Sequence, residues 1–485
     1  MSAARASATE SRDVHQAGAA RALLLPLALT QFVASFAGSN MNVAISSIAK
    51  DLGTDVHGVQ TAITLFLLTM AALMIVGSKL TDKWGRKRCL IMGLTIYGAG
   101  AVIGAIASGL GLLIVGYSLF EGVGSALMIP PIYILATLYF DDVTSRARAF
   151  GVISGMAGIG AAAGPLIGGL ITTAVSWRAS FLLQAVIVGT IIILSRRLTD
   201  PIPADPSRPF DGLGAFLSAA GMALLVIAIL QVGTNDTLAI ILAVVGLVVL
   251  LWFYLHIRAR ERGGREPLLS TSLFRNRTSN LAMVTQNIQW LLLLGSSFVV
   301  SVFMQTVHHY SAIKTGLVFT AATAGILLSS LAAERLAKRH AQRTLIRAGF
   351  VITLVGIGLL LALYKHAGSV TAFLPGLFVM GVGLGGMLTP SVNVVQSSFP
   401  EDKQGEISGL SRSVSNLGSS MGTAIAGTIL VSDLASGNRS YALAMGALAA
   451  FGVIGLVAGL LLPGDADPRG SEPDLAKSAA AARHD

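Results

Sequence analysis

A carboxyl group that can take up a proton on one side of a barrier and release it on the other needs apolar surroundings and a neighbouring element that moves. Glu121 has the surroundings: it lies in LIVGYSLFEGVGSALMIPPIY, with apolar sequence on both sides. An acid placed this way is costly and usually functional, and proton exchange is the chemistry it would serve. A packing residue held by hydrogen bonds is the other reading of the same placement.

A second concentration of chemistry is SKLTDKWGRKR, residues 78–88, which packs five cations and one carboxylate between two oily runs. A tight turn at Gly85 would set Asp82 beside basic side chains. It would also bring Asp82 near the helix expected from about Arg88, whose free N–H groups attract a carboxylate. Arg86 is the expected partner, because a guanidinium fork grips a carboxylate or a carbonyl. Lys83, Lys87 and Arg88 need no role beyond setting topology.

The segment GIGAAAGPLIGGL carries Gly160, Gly164, Pro165, Gly168 and Gly169. Glycines four apart let helix backbones approach closely in lipid. Pro165 removes one backbone hydrogen bond, so a bend is expected there. Gln31, Asn40, Asn42, Gln184, Gln286, Asn287, Gln289 and Asn393 are polar groups that could line a cavity, with Met128, Tyr133 and Trp290 as adaptable walls. Each alone also fits interhelical hydrogen bonding. Arg412 could reach back to the basic surface or serve as a gate, and His308 with His309 falls at the far end of an oily run, where a pH-sensing role is conceivable.

The elements that must position these groups are helices in a bilayer. The chain is 53% hydrophobic and 12% charged, and its mean hydropathy is +0.73, which excludes a water-soluble globule. Runs of about 20 apolar residues, enough to cross roughly 30 Å of hydrocarbon, recur fourteen times between residues 22 and 462. Stretches such as LAIILAVVGLVVLLWFYL are apolar on every face, which excludes a β-barrel. The predicted fold class is therefore an all-α integral membrane protein of fourteen transmembrane helices: two six-helix bundles in parallel pseudo-repeat, plus two extra central helices.

The expected boundaries are a cytoplasmic tail at 1–21 and an N-terminal bundle at 22–195. Linkers with the extra helices 212–231 and 236–257 fill 196–279. A C-terminal bundle spans 280–462, and a disordered cytoplasmic tail covers 463–485. With the N-terminus inside, about 29 lysines and arginines fall in cytoplasmic loops against about five outside. Both termini are then cytoplasmic, in a multi-pass cell-membrane protein. The net charge of +10 is accounted for by these loops facing an anionic lipid surface, so no nucleic-acid partner is expected. The lone Cys89 excludes an internal disulfide and a cysteine metal site. No P-loop pattern is present, no metal or other cofactor is implied, and no constellation points to an enzyme.

At this point the chain resembles the major facilitator superfamily, in particular its fourteen-span drug:proton antiporter branch of multidrug efflux type. The family's loop signature G-x-L-a-D-r-x-G-r-k falls on Ser78, Leu80, Thr81, Asp82, Lys83, Gly85, Arg86 and Lys87, with serine replacing the first glycine. Its fifth-span signature G-x-x-x-G-P-x-x-G-G falls on Gly160, Gly164, Pro165, Gly168 and Gly169 without a mismatch. The resemblance implies that Asp82, Gly85 and Arg86 form a gating loop that latches the two halves, and that the glycine motif marks an exporter. It also implies a monomer that alternates access, moving amphipathic small molecules, cations included, against protons as coupling ion.

Two departures stand out. The fourth-span signature R-x-x-q-G would place arginine at Ser118 and glutamine at Glu121, and the first-span signature would place aspartate at Ala37, although Asn42, Val43 and Ala44 are kept. They leave open a specific metabolite or lipid exporter, or an importer, on the same fold.

Overall fold

The computed structural model describes residues 24–140, 143–200, 203–337, 339–363, 370–400, 403–431 and 437–463. The tails expected at 1–21 and beyond Pro463 lie outside the described residues. Every regular element among the described residues is helical. In chain order, α1 covers 24–40, α2 Val56–Trp84, α3 Arg86–Ala105, α4 Leu110–Tyr139, α5 Val143–Ala174 and α6 Trp177–Ser195. Then come α7 (Gly212–Gln231) and α8 (Asp236–Arg262). The last group is α9 (Arg277–Val307), α10 (Ala312–Ala337), α11 (Gln342–Leu363), α12 (Leu374–Ser397), α13 (Gln404–Val431) and α14 (Asn438–Leu461).

Twelve of these helices, α2 to α12 and α14, are long and apolar enough to cross a membrane. The runs expected at 22–48 and 407–432 carry α1 and α13, which are not among the twelve. The first is interrupted: α1 gives way to a 3-10 turn at Met41–Val43, and a short helix, Ile45–Asp51, follows. The second, α13, carries Arg412 and a succession of serines that dilute its apolar character.

Local sequence sets the helix ends. Asp55 accepts a hydrogen bond from Gly58 N at 2.8 Å to start α2, and Asn235 and Asn276 cap α8 and α9 in the same way. These side-chain oxygens satisfy N–H groups that a helix start leaves orphaned. Gly85, at φ +91°, ends α2 and begins α3. That conformation is unfavourable for any residue with a Cβ.

Burial separates the helices by position. Within their most apolar windows, α2 and α9 are 72% buried, whereas α8 is 17% buried and presents Leu247, Leu251 and Trp252 outward. An all-round apolar helix with so little covered is one that meets lipid.

The packing pattern repeats along the chain. α2 lies along α13 and α5 along α10, while α3 packs on α4 as α11 packs on α12. Gly160, Gly164 and Gly168 of α5 bring its backbone against Phe32, Ser39 and Asn40 of α1, and Gly418 and Gly422 of α13 press on Asn287 and Leu291 of α9. α7 lies against both α2 and α13, with α8 outside it.

Candidate transport pathway and its two closures

Glu121 is the last residue of a π-helical stretch, Ile114–Glu121, inside α4. Such wide turns shift side chains out of α-helical register and recur at functional sites. Here it leaves Glu121 fully buried, with neither carboxylate oxygen hydrogen-bonded. The wall opposite is made close by Gly100 of α3, where a Cβ would stand 2.8 Å from Glu121 N. The neighbouring Tyr97 hydroxyl donates instead to Gln184 Oε1 of α6 at 2.5 Å. Tyr117, one turn before Glu121, stacks on Phe66 with ring centres 4.5 Å apart and donates to Ala37 O at 3.3 Å. Ser118, which takes the place of the family's arginine, donates to Ala62 O of α2 at 2.7 Å. The sequence singles out Glu121 but gives no sign of the π turn in which it lies.

The basic loop is organised differently from the sequence expectation. Arg86 does pair with Asp82, at 3.1 Å, and Arg208 of the α6–α7 linker holds the other Asp82 oxygen at 3.2 Å. The carboxylate at the start of α3 is not Asp82, however. Asp200, also from that linker, accepts from Arg86 N at 2.5 Å and Lys87 N at 3.3 Å. The reason is the turn itself: α3 starts at Arg86, and Gly85 brings Asp200 within 3.1 Å of where a Cβ would be. Two linker residues that the sequence did not mark thus complete the loop.

The contacts that cross from α2 to α13 at this basic end come from residues just before Asp82. Lys79 Nζ lies 2.8 Å from Glu406 Oε1 and 3.0 Å from Glu266 Oε1, and Ser78 Oγ donates to Gly405 O at 3.1 Å. The α8–α9 connection joins in: Ser270 N donates to Glu406 at 3.0 Å, and Lys403 Nζ to Ser272 Oγ at 2.6 Å.

The opposite end is bridged by uncharged groups at the break after α1. The Asn42 carbonyl accepts from Gln305 Nε2 at 3.0 Å and from the Ser301 hydroxyl, and Ser46 N donates to Gln305 Oε1 at 3.1 Å. Gln305 sits in a second π-helical stretch, Phe303–Val307, at the end of α9. Gln60 of α2 reaches Ala424 O of α13 at 3.1 Å. His308 follows that stretch, edge-on to Phe303 with ring centres 4.9 Å apart. Burial pushes the His308 imidazole below its usual value, and the neighbouring His309 adds to this.

The glycine motif lies where three helices meet. Gly160, Gly164 and Gly168 face α1, while Gly169 and Pro165 face Ala312 and Gly316 of α10. The helix runs on through Pro165.

The other singled-out polar residues fall into separate groups. Gln31, Tyr133 and Arg412 form one chain: Arg412 Nη2 donates to the Tyr133 hydroxyl, which donates to Gln31 Oε1 at 3.3 Å. Gln286 exchanges hydrogen bonds of 2.9 Å with Ser411 and Ser415, and Asn287 reaches Val414 O at 2.9 Å, tying α9 to α13. Gln289 bonds to Leu384 O of α12 at 3.2 Å. Asn40 is buried beside Gly168, Trp290 is half-buried and Asn393 exposed. Met128 is fully buried where α4 meets Gly93 of α3, and Gln184 belongs to the Tyr97 contact, so neither joins the Tyr133 group.

Comparison with known proteins agrees with this architecture. The description Major Facilitator Superfamily matches residues 27–255, 210–423 and 288–483, which together cover most of the chain. The chain is 28% identical over 411 residues to the puromycin resistance protein pur8 of Streptomyces alboniger, covering 84% of this chain and 81% of that one. It is 29% identical over 410 residues to the multidrug efflux pump LfrA of Mycolicibacterium smegmatis, with 84% and 80% covered. A crystal structure of the peptide transporter POT in complex with alafosfalin shares the fold, with a TM-score of 0.67 at 16% identity, covering 91% of this chain and 96% of that one. The chain therefore belongs to the major facilitator superfamily, as a multi-pass membrane transporter and not an enzyme.

Proposed function

We propose that the protein exports amphipathic small molecules, drugs among them, in exchange for protons by alternating access. Similarity to a puromycin resistance protein and to a multidrug efflux pump supports the direction and the substrate class. The observation that carries the coupling is the enclosure of Glu121 with both oxygens unpartnered. An ionised carboxylate so placed costs several kcal/mol, so the group holds its proton while enclosed and yields it when one side opens. A proton entering down 100 mV releases about 2.3 kcal/mol, plus the pH contribution.

In this reading α1 and α13 also cross the bilayer, making fourteen spans, with both termini and the basic loops cytoplasmic. Bundles at 22–195 and 280–462 rock about the α2–α13 and α5–α10 contacts, with the Gly160–Gly169 motif as a close-packed bearing. Asp82, Gly85 and Arg86 hold the cytoplasmic loop in shape, and Lys79 with Glu406 completes the latch. Substrate passes between the bundles beside Gln31, Tyr133, Gln286 and Asn287, and the unit is a monomer.

Everted membrane vesicles test this. Adding a transported drug should dissipate an imposed proton gradient, and collapsing the gradient should stop drug accumulation. Drug uptake indifferent to the gradient sinks the proposal. Ser118 and Ala37, standing where the family has arginine and aspartate, favour a second reading, a narrow exporter or importer of one metabolite. Silence toward a broad drug panel with retained transport of a single compound would select it.

A further inference from the structure

Arg412 stands eight residues beyond the start of α13, roughly 12 Å along its axis, and past the charges of the basic end. Glu406, the acid on its own helix, is engaged by Lys79 and by Ser270 N. Tyr133 is at a similar depth, six residues, or roughly 9 Å, from the end of α4. The guanidinium donates to the Tyr133 hydroxyl, with Cζ 4.7 Å from the centre of the ring. It is thus turned across to α4 instead of back to the loops.

Among the described residues no carboxylate lies within ion-pairing distance of Arg412. The described acids with ion pairs, Asp51, Asp82, Asp205, Asp211, Glu266 and Glu406, all belong to the two ends of the molecule. One of the five N–H donors of a guanidinium is used, on Tyr133, and no other nitrogen of Arg412 is sealed from solvent without a partner. The backbone that carries it is fixed. Ser411 and Ser415 are tied to Gln286, Val414 O to Asn287, and the Ser413 hydroxyl reaches Ala71 O of α2 at 2.5 Å.

A fixed cation with free donors, faced by an aromatic ring and neutral amides in surroundings of low dielectric, attracts anions and repels cations. Its planar fork matches a carboxylate or sulfonate, and the Tyr133 ring offers an apolar surface beside it. We propose that Arg412 and Tyr133 form an anion-recognising subsite, so that the preferred substrates are amphipathic organic anions, a class the export reading on which this rests leaves open. An interior-negative potential favours the export of such ions.

Three probes sharing a pyrene test it on the full-length protein: pyrenebutyrate, pyrenebutanol and pyrenebutyltrimethylammonium. The carboxylate should bind on the order of tenfold more tightly than the alcohol, the gain expected of one charge-assisted contact, and the ammonium more weakly. Arg412→Gln should erase the preference, and Arg412→Lys should keep part of it through charge without the fork. Equal or tighter binding of the ammonium, no binding of the carboxylate, or the same loss for all three probes in Arg412→Gln overturns the subsite. Vesicle transport is scored separately. Anion-selective binding without gradient-driven movement removes export and leaves the subsite, whereas movement of the alcohol and ammonium alone does the reverse.

Discussion

Lys79 Nζ stands 2.8 Å from Glu406 Oε1 and bridges α2 to α13 at the basic end, with both side chains largely shielded. Glu266 adds a second carboxylate at 3.0 Å, but it is more exposed and contributes less. If this bridge holds the cytoplasmic closure, Glu406→Gln should raise the rate at which an impermeant maleimide labels a cysteine placed at Ser411, several-fold in everted vesicles. The swapped pair Lys79→Glu with Glu406→Lys should restore slow labelling, with a coupling of about 1 kcal/mol. Labelling unchanged in Glu406→Gln would remove the pair from the gate.

Glu121→Gln should leave expression and thermal stability close to wild type, because the amide has the same shape and the carboxylate oxygens make no hydrogen bond. Gradient-driven export should fall to background, while substrate exchange without a gradient persists. Export of undiminished rate across pH 6 to 8 in this variant would take Glu121 out of the mechanism.

The elements that could be read from the sequence are those whose signal is local. Apolar length marked the helices, Gly85 marked the turn, and the four-residue spacing of glycines marked the close face of α5. The signals that failed are those decided between elements. Nothing in IVGYSLFE announces a π turn, and the close approach of Gly100 from α3 to that stretch is a contact between elements far less legible in local sequence. Nothing in GSNMNVA announces the break at Met41–Val43 either, where Asn42 O accepts from Ser301 and Gln305 of α9. Asp82 looked like the helix-capping acid because it was near in sequence, yet Asp200, more than a hundred residues on, has that position.

The α5 seam gives a steric prediction. A side chain at Gly164 would meet Ser39 and stand 3.0 Å from Asn40 N, and one at Gly168 would meet the Asn40 side chain. Gly168→Leu should therefore separate α1 from α5 at a cost of about 1–3 kcal/mol, seen as a lower unfolding temperature and lost transport. Gly158→Leu, where among the described residues a Cβ would have Leu327 alone within 4 Å, at 3.9 Å, should change far less. Equal effects at the two positions would show that the seam is not set by backbone approach.

Asp211, just before α7, is buried and accepts from Gly214 N at 2.9 Å, His256 Nε2 at 2.9 Å and Leu268 N at 3.2 Å, with Arg260 Nε at 3.6 Å. Burial alone would push its carboxyl up. The His256 hydrogen bond, then the Gly214 and Leu268 amides and the His256 charge, outweigh it and hold the group below its usual 3.8. A depressed folded value means the stabilisation is present in full above the unfolded value and is lost as pH falls through the folded one. Asp211→Asn should therefore lower stability by about 1–3 kcal/mol at neutral pH, loosening α7 from α8 and from the strand of chain at Leu268. Thermal unfolding followed from pH 7 downward should show the wild-type advantage intact until the carboxylate range is reached and shrinking below it. An advantage that instead shrinks before the carboxylate range is reached would take the Asp211 carboxylate out of this role.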